Sequence, residues 1–161
     1  MTKVFIDGSA GTTGLRIYER LADRKDLELL ILTGEDRKNN DARRQMLALA
    51  DIAFLCLPDK AAMEAVSLIE NPNTAVIDTS TAHRTSDGWA YGFAELSQNH
   101  RAAIQNSKRI ANPGCHASGF ISLVAPLVRA GILTPDARLT CHSITGYSGG
   151  GKKMIAQYEG E

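Results

Sequence analysis

The residues best suited to chemistry lie in Asn112-Pro113-Gly114-Cys115-His116-Ala117-Ser118-Gly119. Pro113 and Gly114 punctuate the backbone, and Phe120, Leu123, Val124 and Leu127 then recur at helical spacing. The turn therefore delivers Cys115 to the start of a helix. There the macrodipole and unpaired N–H groups favour a thiolate, which a free cysteine of pKa about 8.5 supplies poorly near neutrality. Such a thiolate is a nucleophile, and backbone N–H groups at the helix start can receive an oxyanion. Most lone cysteines are small core residues, but a core position needs no sharp turn before it. Cys56 and Cys141 fit that plainer role, each inside an apolar strand-like run. His116 adjoins Cys115, yet neighbours at a helix start point in different directions, which argues against it as the base.

A second loop, Gly8-Ser9-Ala10-Gly11-Thr12-Thr13-Gly14, follows an apolar run and opens a helical pattern. Its G-x-x-G-x-x-G spacing is a variant of the dinucleotide fingerprint, in which glycines let the backbone approach a pyrophosphate resting on a helix N-terminus. Further on, Glu35-Asp36-Arg37-Lys38 follows the second strand-like run, where an acidic residue holds the ribose of NAD and a basic one the extra phosphate of NADP. Arg37 and Lys38 favour NADP as the cofactor. The run Gly146-Tyr147-Ser148-Gly149-Gly150-Gly151-Lys152-Lys153 imitates a phosphate loop of the triphosphatases. Its last position should be Ser or Thr to hold magnesium, and a lysine cannot do so. The four histidines have no metal-ligand spacing, so no metal site is expected.

The elements that must position these groups alternate. Strands are expected at Lys3–Asp7, Leu27–Thr33, Ile52–Leu57, Thr74–Asp78, Lys108–Ala111 and Arg138–Thr145, with Leu27–Thr33 buried on both faces. Helices are expected at Leu15–Arg24, Ala42–Ala50, Lys60–Glu70 and Ser97–Asn106, and after Cys115. This rhythm indicates an α/β fold with a doubly wound parallel sheet, its boundary near the cysteine turn. The 161 residues are 43% hydrophobic and 22% charged, ordinary for a soluble domain. Lys plus Arg and Asp plus Glu each total 18, which gives no basic field for nucleic acid. No apolar run approaches membrane length and no signal-peptide layout opens the chain. Three cysteines, an odd number, fit reduced thiols and a cytoplasmic setting.

Taken together, the motifs resemble the amino-terminal part of the N-acetyl-gamma-glutamyl-phosphate reductases of the shorter type, within the semialdehyde dehydrogenase superfamily. The marks are the Gly8–Gly14 loop, Ala50–Pro58, Val76-Ile77-Asp78-Thr79-Ser80-Thr81-Ala82-His83-Arg84, Asn112–Cys115 and Ser148–Lys152. The resemblance implies a Rossmann-type NADP-binding domain over 1–114. It implies the cysteine helix and the start of a second α/β domain over 115–161. It also implies reduction of an acyl phosphate through a Cys115 thioester, with hydride from NADPH, in arginine biosynthesis. Gly8, Ser9, Gly11, Thr12, Thr13 and Gly14 would hold the cofactor diphosphate, and Pro58, Ser80, Ser148, Gly149 and Gly150 would approach its nicotinamide half. Arg84 would grip the substrate's phosphate or carboxylate. Members of the family are longer and carry a catalytic histidine in the second domain. The chain is therefore expected to be part of a longer, homo-oligomeric protein and inactive alone. Aspartate-semialdehyde dehydrogenase, or a non-catalytic NADP-binding module, are the alternatives.

Overall fold

Val4, Phe5 and Ile6 are apolar and fully buried because they form the middle of a strand with a neighbour on each side. The computed structural model describes residues 1–160, except for the side chains of Ser148, Lys152 and Lys153. The elements run β1 (Thr2–Asp7), α1 (Thr12–Leu21), β2 (Leu27–Leu30), α2 (Asn40–Leu49), β3 (Ile52–Leu55), α3 (Asp59–Ser67) and β4 (Ala75–Asp78). They continue as β5 (Ala90–Tyr91), α4 (Gln98–Asn106), β6 (Arg109–Ala111), α5 (Cys115–Arg129) and α6 (Gly151–Glu159). Short 3-10 turns lie at Gly34–Lys38 and Tyr147–Gly150. The strands form one parallel sheet in the order β2-β1-β3-β4-β6-β5, the doubly wound arrangement expected from the alternation. Phe5, Leu47, Ala50, Ala53 and Leu68 make one buried cluster, and Leu55, Ala65 and Val76 another. None of the described helices is long and apolar enough to cross a membrane.

The register matters most. Asp7 pairs with Leu55, Leu55 with Asp78, and Asp78 with Ala111, so four strands end in one row across the sheet. Whatever follows those four residues emerges at the same carboxyl edge, the face on which open α/β sheets bind ligands.

Three expectations need correction. The second strand is only Leu27–Leu30 and half-buried, because β2 is the edge of the sheet and has one neighbour instead of two. Arg138–Thr145 forms no strand: no described strand runs alongside to complete a hydrogen-bond ladder, and Leu139 and Ile144 are exposed. Residues 115–160 therefore hold helices and irregular chain without a strand. Cys141, expected in the core, is exposed for the same reason.

Beneath the carboxyl edge lies a buried ion pair. Asp7 Oδ2 accepts from Nε and Nη2 of Arg43, each at 3.0 Å, and Arg43 Nη1 donates to Asn40 Oδ1. Burial pushes the Asp7 carboxyl above its usual range, opposed by the attraction of Arg43. The neutral form is thus favoured in the fold, a contribution present at low pH and lost as pH rises through the raised native value. Arg43→Met should cost about 3–5 kcal/mol in urea unfolding at pH 8, since it leaves a buried carboxylate unpaired. Asp7→Leu/Arg43→Met should recover most of that loss. Without Arg43 the native value rises further, so the deficit should be smaller at pH 5 than at pH 8. Equal deficits would show that Asp7 is not their source.

Candidate active site

The loop after β1 is shaped by close backbone approach. Gly8 has φ +84°, and a Cβ on it would lie 2.3 Å from the carbonyl oxygen of Cys56 at the end of β3. A Cβ on Gly14 would meet the Gly8 carbonyl oxygen at 2.3 Å. The N–H of Gly11 donates to Gly8 O at 2.9 Å and closes the turn. The structure brings Gly8, Ser9, Gly11, Thr12, Thr13 and Gly14 together as the sequence predicts, with Thr12 and Thr13 exposed at the head of α1.

The helix N-termini differ in their caps, and α3 and α6, like α1 and α5, have no side-chain cap. Asn39 caps α2 through its side chain and Ser97 caps α4, satisfying first-turn N–H groups. In contrast, α1 and α5 begin from Gly11 and Gly114, with no side-chain acceptor at either cap. Their first-turn N–H groups receive no side-chain cap and suit an anion. At α1 the glycine cradle and these donors fit a pyrophosphate.

The β4 end is organised by one buried carboxylate. Asp78 accepts from the Ser80 amide at 2.9 Å, the Ser80 hydroxyl at 2.7 Å and His83 Nδ1 at 2.6 Å. The His83 ring stacks on Trp89, with centroids 4.1 Å apart. Ser80 is buried with its hydroxyl spent inside this loop, where it also accepts from the Ala82 amide. Exposed Pro58 precedes α3, whose first residue, Asp59, receives both the amide and the hydroxyl of Thr81. Those two bonds hold the Asp59 carboxyl below the usual carboxylate range. Cys56, also at this edge, is pushed up to about 11 by burial and is no nucleophile near neutrality.

Asp78, Asp59, Thr81 and His83 were given no individual role from sequence. Asp78 carried a readable signal: a charged residue closing an apolar strand two positions before a serine, the layout of an Asx turn. The His83 pairing had none.

Cys115 is the first residue of α5 and is exposed, as its turn predicts. The turn is fastened to the sheet by the Asn112 amide, which donates to Asp78 O at 2.7 Å. Arg84 lies against it, Nε donating to Asn112 O at 3.1 Å and Nη2 to Thr79 O at 3.4 Å. A cavity of about 690 Å³ opens beside Cys115, lined by His116, Phe120, Cys141, Thr145 and Gly149 among others. His116 thus borders the nucleophile's cavity despite its position on the helix, and its Nδ1 bonds the Ser143 hydroxyl. A second cavity of about 620 Å³ lies at the head of α1, lined by Thr12, Thr13, Leu15, Arg16, Glu19 and Gly149. Gly149 borders both. Gly150 packs against Met154 and lines neither, and the Ser148 side chain lies outside the described residues. Arg37 and Lys38 are exposed past the end of β2, away from both cavities, and Arg37 Nε bonds the Gly34 carbonyl. No strand precedes Gly146, so the triphosphatase-like run lacks the strand that a phosphate loop follows.

Comparison with known proteins agrees with this geometry. Residues 3–104 match the family model described as semialdehyde dehydrogenase, NAD binding domain, and residues 115–161 match that of the semialdehyde dehydrogenase dimerisation domain. The chain is 57% identical to the N-acetyl-gamma-glutamyl-phosphate reductase of Chelativorans sp. (strain BNC1), covering 99% of this chain and 51% of that protein. It is 54% identical to the enzyme of the same name from Mesorhizobium japonicum, covering 97% and 51%. The chain spans about half the length of the curated relatives it matches. Aspartate semialdehyde dehydrogenase II from Vibrio cholerae, in complex with ASA, superposes with a TM-score of 0.66 at 18% identity over 99% of this chain and 51% of that one. The Candida albicans enzyme with NADP gives 0.58 at 15% identity over 81% and 47%, a likeness of fold. A glycine cradle and an N-terminal helical cysteine on one parallel edge, matched by family models over most of the length, place this chain in the semialdehyde dehydrogenase family.

Proposed function

We propose that this chain is the nucleotide-binding and nucleophile-bearing part of an NADPH-dependent N-acetyl-gamma-glutamyl-phosphate reductase, a cytoplasmic enzyme of arginine biosynthesis. One observation carries the reading: Gly149 lines both the cavity along the first turns of α1, which Thr12 and Thr13 border, and the cavity beside Cys115, so that hydride donor and acyl group can meet there. The names of the relatives at 57% and 54% identity favour the N-acetylglutamyl substrate over the aspartyl one. On this reading residues 1–114 hold the cofactor and 115–161 begin the catalytic domain. Copies of the complete protein associate, in keeping with the name of the second family model.

The chemistry proceeds in two stages. Cys115 Sγ attacks the acyl carbon, the carbon–oxygen bond to phosphate breaks, and inorganic phosphate leaves a thioester on the enzyme. First-turn N–H groups of α5, which have no side-chain cap, receive the oxyanion. The reduced nicotinamide, when bound, supplies the hydride that converts the thioester to a hemithioacetal. Collapse of that species returns the thiolate and releases N-acetylglutamate semialdehyde. The α1 turn from Gly8 to Gly14 holds the diphosphate, and the Pro58, Ser80 and 148–150 segments border the nicotinamide half. Arg84, beside the cysteine turn, offers its cation to the acyl phosphate.

In the enzyme containing this chain, Cys115→Ser should lower acyl-phosphate reduction by about a thousandfold or more while leaving NADPH affinity within about twofold. An active Cys115→Ser enzyme would overturn the thioester route. Brief iodoacetamide treatment at pH 8, read by peptide mapping, should modify Cys115 and leave Cys56 untouched.

Arg37→Ala/Lys38→Ala should weaken NADPH binding by about ten- to a hundredfold, equivalent to about 1.5–3 kcal/mol of charge-assisted contact. NADH binding should barely change. Equal losses for both dinucleotides in a titration would remove the assignment of these residues to the 2′-phosphate.

A further inference from the structure

The most constrained contact at the nucleophile is made by a residue from another loop. Arg84 spends Nε on the carbonyl of Asn112 and Nη2 on that of Thr79, which ties the β4 loop to the start of the cysteine turn. Its third nitrogen has a different neighbour. A Cβ built on Gly114 would lie 2.8 Å from Arg84 Nη1 and 3.3 Å from Cζ, and its three nearest atoms all belong to Arg84. Gly114 caps α5 at φ −75° and ψ 151°, a conformation open to any residue. The glycine there answers no backbone demand. It makes room for the guanidinium.

We infer that Arg84 is the positioning residue of the nucleophile: it occupies the space left by the missing Gly114 side chain, fixes where α5 begins, and holds a cation one residue from Cys115. The β4 loop is built to keep it there. Asp78 immobilises that loop through Ser80 and through His83, the residue next to Arg84, and His83 is clamped in turn on Trp89. Asp59 holds Thr81 from the α3 side. A guanidinium suits the post because its rigid planar fork directs separate N–H donors at two carbonyls, whereas an ammonium is a compact point charge on a flexible stem. This role deepens the proposed reaction, in which Cys115 is the attacking atom, and adds the anchoring of α5 to the cation that Arg84 offers the acyl phosphate.

The test is a double-mutant cycle read by the rate of iodoacetamide modification of Cys115 at pH 7 in the 161-residue chain. Arg84→Met should slow the rate about five- to tenfold, the effect of one cation removed from a partly solvated thiolate. Gly114→Ala should slow it by a similar factor, because its new methyl displaces the guanidinium. The double variant should be no slower than Arg84→Met within about twofold, since the methyl then has nothing left to displace. Arg84→Lys, which retains the cation and can reach one carbonyl, should recover at least half of the loss. If Arg84→Met does not fold, Gly114→Ala still decides, as it removes no contact from the sheet. A Gly114→Ala chain that reacts at the parent rate, or single effects that multiply in the double variant, would overturn the assignment. Alkylation needs neither dinucleotide nor acyl phosphate, so that result would leave the reductase reading standing. An active Cys115→Ser enzyme would in turn leave the alkylation result intact.

Discussion

Everything at the carboxyl edge depends on how closely the turn after β1 can approach β3. Gly8 rests against the Cys56 carbonyl, and the space between them admits no side chain. That contact lets α1 start directly above the sheet with no side-chain cap on its first N–H groups. Any side chain at Gly8 would lift the helix away and open the turn. The parallel register then does the rest, because Asp7, Leu55, Asp78 and Ala111 end their strands in one row. The glycine turn after the first strand and Cys115 after the sixth are thereby brought to one side of the sheet, though about a hundred residues apart in sequence.

Two of the four residues in that row are buried aspartates, which is costly unless each is paired. They are paired differently. Asp7 is neutralised by the guanidinium of Arg43, which also reaches Asn40 and the carbonyl of Ala61, so β1, α2 and α3 meet at a single charge. Asp78 relies on neutral and imidazole donors from its own loop, and the result is a loop of fixed shape instead of a link between helices. One carboxylate holds the layers together, and the other shapes the surface from which Arg84 extends.

The alternating fold and the two helix starts were legible because each rests on local chemistry. Glycines at G-x-x-G-x-x-G spacing and a Pro-Gly pair before an apolar helical stripe make sense only as turns into helices. What escaped was non-local. Leu27–Thr33 reads as a fully buried strand because its residues are apolar, but burial depends on having a strand on each side, and β2 has one. Leu139–Ile144 has the composition of a strand and no ladder to join. The two-residue β5, Ala90–Tyr91, is too short to leave a pattern. Arg84 could be singled out as a cation near the site, but its use of the Asn112 and Thr79 carbonyls depends on pairing two loops that sequence order keeps apart.

The helix that begins at Cys115 has no buried residue, although Phe120, Leu123, Val124 and Leu127 run along it. The sheet and its flanking helices hold the described apolar core, so opening α5 exposes little that was not already wet. Within these 161 residues alone, such a helix has few apolar contacts to hold it, and its amides exchange ahead of the sheet's. Cys115 then stands at the seam between a rigid cooperative unit and a yielding one, anchored from the rigid side alone. Whatever covers the apolar face of α5 acts by mass action on the helix without having to reposition the reactive sulfur.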